Sequence, residues 1–390
     1  MGIQSSRERG STPDDVKAHG LVDPLGTIST LCSMRRLPLV ESRSAVYDDW
    51  PPRPDDFEAM PLLRDSRDRR YTYLRLSVTD RCDLACVYCM PPSGEEDHAL
   101  RLELMTFEEA ARLVSVFAAA GIRRVRLTGG EPLVRKDIVR LVELIDRRTE
   151  VEQLVMTTNA TRLSELARPL RDAGLFGVNI SIDTLDAERF HEITRGGDLG
   201  RVLAGIHAAL DVGLEVKLNT VPLRGRNDDE LVRIVEFAWS LGVTPRFIEL
   251  MPLGEGAKLP SSMRMNADAV ITALGDRLYK ATATGVEGHG PARYLSASDG
   301  SGHRVGFITP ISNEFCDTCN RVRVTARGDI RACLASRRAI NLRNIMRAGG
   351  SDLDLAWAMV WSLSGKDRGH YFLDADAHEH EHVGMSLIGG

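Results

Sequence analysis

The chain predicts an α/β protein whose parallel sheet curls into a partial (βα)6 barrel of the TIM type. Two observations carry this: six β-rich runs at 71–78, 125–127, 153–157, 177–182, 214–221 and 245–250, and helical patterns that alternate with them. The first of those helices opens on Thr106-Phe107-Glu108-Glu109. This is a capping box, in which the Thr hydroxyl satisfies an early helix N–H and Glu109 reaches back to the cap. Gly121 stops that helix; Asp137, Ser164, Gly200 and Asn227 open later ones, and Gly174, Gly213 and Gly242 follow their ends. Right-handed crossovers between such units give a parallel sheet whose functional groups collect at the carboxyl ends of the strands. A flat doubly wound sheet is the alternative.

After Met251 the alternation breaks. Short antiparallel strands are expected at 294–295, 304–309, 321–325 and 329–333, with helices between 341 and 363. The chain thus divides into a flexible N-terminal extension (1–68), a core barrel (69–252) and a C-terminal α+β region (253–390). The extension mixes Ser, Pro, Arg and Asp without hydrophobic period, ending near Trp50-Pro51-Pro52-Arg53-Pro54.

Composition narrows the function. With 390 residues, 43% of them hydrophobic, the chain can bury a full core. A net charge of −5 argues against a nucleic-acid surface or a polybasic membrane anchor. No apolar run approaches the ~20 residues of a membrane span and no secretory start is present, so a cytoplasmic location is expected. In a reducing compartment, clustered cysteines read as metal ligands.

Six of the seven cysteines fall into two triads, Cys82-x3-Cys86-x2-Cys89 and Cys316-x2-Cys319-x13-Cys333. Each offers three thiolates to a centre that normally takes four ligands, leaving one position open for something other than protein. The turn at 326–329 should bring Cys333 back towards Cys316 and Cys319. A structural zinc site is the competing reading, but the first triad has no close fourth Cys or His. Several cations also stand on the predicted strands: Arg75, Arg124, Arg126, Lys217 and Arg246. Strand parity puts Arg124 and Arg126 on one face, and buried cations imply an anionic partner, with Arg forks suited to phosphate.

The first triad with Tyr88, followed by Thr128-Gly129-Gly130-Glu131-Pro132 at a strand end, resembles the radical S-adenosylmethionine (SAM) enzymes. That resemblance implies a [4Fe–4S] cluster on Cys82, Cys86 and Cys89, SAM at its open iron, and Tyr88, Gly130, Ser181 and Met251 as SAM contacts. The second triad with Asn320-Arg321-Val322-Arg323, and the terminal Gly389-Gly390, resemble one branch from about residue 71 onward: the GTP 3′,8-cyclases of molybdenum cofactor biosynthesis. The branch implies a second [4Fe–4S] cluster on Cys316, Cys319 and Cys333 in the C-terminal region. It further implies GTP contacts from Arg75, Arg126, Thr157, Lys217, Arg321, Val322 and Arg323, and a catalytic part for Arg321, Arg323, Gly389 and Gly390. Arg124 and Arg246 carry over less directly, and Ala160 stands where the family usually has Gly.

The implied reaction is abstraction of the C3′ hydrogen of GTP by a 5′-deoxyadenosyl radical, attack on C8, and reduction to 3′,8-cyclo-7,8-dihydro-GTP. Implied partners are an electron donor and the downstream cyclic pyranopterin monophosphate synthase; a homodimer is possible. A peptide-modifying or sulfatase-maturing radical SAM enzyme is the alternative, although such enzymes usually carry more downstream cysteines.

Overall fold

The computed structural model describes residues 50–93, 98–147, 150–278, 290–336, 338–370, 372 and 384–388. One sheet of eleven strands organises them: β1 (Tyr73–Ser77), β2 (Arg124–Thr128), β3 (Gln153–Thr158), β4 (Gly177–Ser181), β5 (Glu215–Thr220), β6 (Thr244–Ile248), β7 (Arg293–Ser296), β8 (Arg304–Ile308), β9 (Arg321–Val324), β10 (Asp329–Arg331) and β11 (Ile340–Asn341). The order is β11-β10-β9-β1-β2-β3-β4-β5-β6-β8-β7. Strands β1 to β6 pair in parallel, as the alternation predicts.

Helices α1 (Phe107–Ala119), α2 (Ile138–Asp146), α3 (Leu163–Asp172), α4 (Ala187–Thr194), α5 (Leu199–Asp211) and α6 (Leu231–Ser240) are the crossovers. Thr106 and Glu109 make both bonds of the capping box, at 3.1 and 2.8 Å. Asp137 precedes α2 but makes no side-chain cap, and Asn227 opens no helix: its amide instead bonds the carbonyls of Asp183 and Val221. The sequence reading also passed over α4, whose cap is Asp186. Beyond β6 come α7 (Glu255–Lys258), α8 (Ala267–Leu274), α9 (Leu342–Arg347), α10 (Asp352–Ser364) and α11 (Met385–Ile388).

The C-terminal region extends the barrel sheet at both edges. β9 pairs in parallel with β1, and β8 in parallel with β6, while among the described strands the antiparallel pairs expected throughout are β7–β8, β9–β10 and β10–β11. The physical reason is that β1 and β6 would otherwise leave their outer edges unpaired. Period-two alternation sets the faces. Leu74, Leu76, Val125, Leu127, Val322 and Val324 join the main core, whereas Tyr73, Arg75, Arg124, Arg126, Arg321 and Arg323 line the opposite, concave side.

The extension expected to be free to residue 68 is packed over its described part. Leu63 is 2% exposed within the main core, and Trp50, Phe57 and Met60 lie against it. Leu63 N donates to Ala120 O, the Trp357 indole N–H donates to Pro51 O, and Arg53 pairs with Asp354. Scattered apolar residues in a Pro-rich strap need no period to bury, because the strap lies across finished elements and forms none of its own. Residues 1–49, including Cys32, lie outside the described residues. So do His378, His380, His382, Gly389 and Gly390.

Candidate active site

All six triad cysteines line one cavity of about 420 Å³ at the carboxyl ends of the barrel strands. The loop from β1 to the first triad is held by the Gly129–Gly130 turn. Gly130 N donates to Thr79 O and Glu131 N to Arg81 O, both at 2.8 Å. A Cβ on Gly129 would stand 2.3 Å from Thr79 O, and one on Gly130 2.3 Å from Arg81 O. These glycines therefore admit the backbone of the triad loop itself. Glu131 braces the same turn: its carboxylate accepts from Leu133 N, Asn159 N and the Thr158 hydroxyl at 2.6–2.9 Å, and burial raises its pKa to about 7.

Cys82, Cys86 and Cys89 are half-buried and form no disulfide. Burial pushes the Cys86 thiol well up, with Cys89, Asp183 and Cys82 adding to the rise. Three mutually repelling sulfurs at a cavity wall fit a cation-rich centre that neutralises them. Among the described residues neither triad brings its three sulfurs within 4.8 Å of one another. One trio does converge that closely, Glu314, Cys316 and His370. It shares Cys316 with the second triad, so a lone ion and a cluster would exclude each other there.

Across the sheet runs a row of arginines. Arg75 stands directly opposite Arg126 on β2 and Arg323 on β9, and in the neighbouring row Tyr73 stands opposite Arg124 and Arg321. Like charges facing across strands destabilise a sheet unless an anion bridges them. Burial, with Arg323 and Arg126 beside it, holds the Arg75 pKa well below its ordinary value. Burial also brings Arg323 and Arg246 down to about 10. Arg246 Nε donates to Asn219 Oδ1, while its buried Nη2 has no hydrogen-bond acceptor among the described residues. Lys217 also lines the cavity, paired with Glu215.

Carboxylates near this row are occupied elsewhere. Glu249 accepts from Ala267 N, Ile311 N, Ser312 N and the Ser312 hydroxyl, and Asp183 accepts from Val221 N and from Tyr88 Oη at 2.6 Å. Burial raises the Asp183 pKa to about 6. The phenol of Tyr73 fixes Arg126, accepting from its Nε, while Arg126 Nη1 donates to Met156 O and Thr157 Oγ1 at 3.2 Å.

The cavity brings together Tyr88, Gly130, Ser181, Met251, Arg75, Arg126, Thr157, Lys217, Arg321 and Arg323, with Arg124 and Arg246. Val322 is turned the other way. Its side chain is fully buried in the core on the far face of β9, because alternation turns it away from its two arginine neighbours. Met385 also lines the cavity, four residues before Gly389. Tyr73, Arg69 and Lys366 were missed. Tyr73 was legible by parity, two residues before Arg75; nothing in Gly365-Lys366-Asp367 signalled the last.

Known proteins fall in with this geometry. The profile of the Radical SAM superfamily matches residues 76–238, and that of Molybdenum Cofactor Synthesis C matches 243–372. The crystal structure of Streptococcus suis SuiB bound to precursor peptide SuiA superposes with a TM-score of 0.56 at 15% identity, over 76% of this chain and 67% of that one. Fold and cysteine-lined cavity thus define a radical SAM protein, a class that implies an iron–sulfur cluster and SAM. A GTP 3′,8-cyclase of Rhodopseudomonas palustris (strain TIE-1) is 42% identical over 342 residues, covering 84% of this chain and 96% of the relative. That of Rhizobium meliloti (strain 1021) is 41% identical over 362 residues, 89% and 99% of the two chains. The chain belongs to the GTP 3′,8-cyclase family. Among the described residues no helix is long and apolar enough to cross a membrane.

Proposed function

We propose that this chain cyclises GTP to 3′,8-cyclo-7,8-dihydro-GTP, with a [4Fe–4S] cluster on each cysteine triad. The observation that carries the reading is the Arg323–Arg75–Arg126 row on the wall of the cavity that both triads line. When bound, the first cluster and SAM supply a 5′-deoxyadenosyl radical. The protein's own residues bind and orient. Arg75, Arg126 and Arg323 take the polyphosphate, and Lys217, Arg124 and Arg246 extend the cationic wall. Thr157, tied to Arg126, adds a hydroxyl beside the nucleotide. Tyr88, held by Asp183, stands with Gly130, Ser181 and Met251 on the SAM side. Arg321, whose guanidinium lies 4.6 Å over the Phe315 ring, stands beside the second triad and offsets charge there late in the reaction. Gly389 and Gly390, outside the described residues, keep the catalytic part that the family resemblance implies. An external electron donor serves the reaction, and the product passes to a pterin synthase.

Anaerobic reconstitution with iron and sulfide, then GTP, SAM and reductant, tests this by mass spectrometry. Wild-type protein should bind iron for two clusters and yield 5′-deoxyadenosine and cyclised nucleotide. Arg75→Ala should keep both clusters and raise the KM for GTP at least about tenfold, the ~1.4 kcal/mol or more of one charge-assisted contact. SAM cleavage without any nucleotide product, or iron that saturates at one cluster, would refute the reading.

A further inference from the structure

Lys366 follows α10 and is 7% exposed. Its Nζ lies 3.3 Å from Cys319 Sγ and 4.8 Å from the centre of the Tyr71 ring. Among the described residues no carboxylate forms an ion pair with it. A buried ammonium is costly without an anion, and the sulfur of Cys319 is the group its Nζ meets. Arg321 Nη2 approaches the same sulfur at 3.6 Å. Cys316 has different company: Glu314 and His370 stand within 4.8 Å of it.

The backbone that carries Lys366 is anchored. The Arg69 guanidinium donates to the carbonyls of Lys366, Asp367, Arg368 and Cys316 at 2.8–3.4 Å. Arg69 is in turn paired with the fully buried carboxylate of Asp65, which also accepts from Tyr71 Oη at 2.8 Å. A continuous buried chain of contacts therefore runs from the N-terminal strap to one ligand of the second triad.

We propose that Lys366 is a positioning residue for the second iron–sulfur centre: a fixed positive charge on the Cys319 ligand that raises the centre's reduction potential. The inference rests on the reading that the second triad holds a cluster. One-electron reduction by the external donor adds a negative charge to the centre, and a cation hydrogen-bonded to a ligand sulfur stabilises the reduced form more than the oxidised one. With two cations at Cys319, the stabilisation falls unequally on the three ligands.

The experiment uses full-length protein carrying Cys82→Ala, Cys86→Ala and Cys89→Ala, reconstituted so that only the second centre forms. Its potential is read by EPR during dithionite titration. Lys366→Met should hold the same iron with a lower midpoint potential, and Lys366→Arg should stay near the value with Lys. Equal potentials for the Met and Lys forms overturn the proposal. If the Met form loses its iron while the Arg form keeps it, the charge is needed even to hold the centre, and the proposal stands. If both lose it, Lys366 is a packing residue and the proposal falls. Absence of iron in the background protein bearing Lys366 refutes the second centre itself, a result distinct from unchanged potentials.

Discussion

Tyr73 is a phenol set among cations. Burial alone would raise its pKa, yet Arg126, Arg75 and Arg124 outweigh burial and bring it down to about 8. A folded pKa below the ordinary ~10 means that the stabilisation is absent below pH 8 and grows as pH rises towards the unfolded value. Above pH 8 the phenolate neutralises part of the arginine row, so the KM for GTP should climb there. That alkaline rise should vanish in Tyr73→Phe, as KM measured from pH 7 to 9.5 would reveal; an identical rise in the variant would show that another group titrates. Ala160 holds φ +62°, the left-handed region that disfavours a Cβ, and it is fully buried. Relief of that strain offsets the lost methyl contact, so Ala160→Gly should change stability by under ~0.5 kcal/mol. Ala167→Gly, inside α3, should cost about 1–2 kcal/mol. Urea denaturation of both distinguishes them.

The elements of the barrel were legible because each carries its own period and punctuation: the Thr106 box, Gly121, and the alternation of Tyr73 to Ser77 all act locally. What escaped was set by distant partners. Nothing near β9 says that it pairs with β1, and nothing in the strap says that Leu63 will find Ala120. The site shows the same division. Cysteine spacing and the strand arginines could be read directly, whereas Lys366 gains meaning only once Arg69 folds its backbone against Cys316 and its side chain meets Cys319. Removing residues 1–68 should therefore be harmful. It takes Leu63 from the core, worth roughly 1.5–3 kcal/mol, and leaves Arg69 buried without Asp65, worth roughly 3–5 kcal/mol. A clear fall in Tm is expected; an unchanged Tm would mean that the strap is dispensable.

At the level of the whole molecule, one sheet joins both triads, and the chain's two halves meet along two strand seams, β1 against β9 and β6 against β8. This explains why splitting the sequence at residue 252 marks a change of rhythm without marking a separable body: β8 and β9 complete edges begun by β6 and β1. The β1–β9 seam also has a history in time. During synthesis β1 leaves the ribosome about 250 residues ahead of β9, so at ordinary elongation rates its outer edge waits roughly 12–50 s for its partner. An open strand edge invites pairing with other nascent chains, and inward-pointing charge is one way proteins discourage it. Arg75 sits in the middle of that edge. The same guanidinium that meets a nucleotide in the finished protein would then guard the unfinished one.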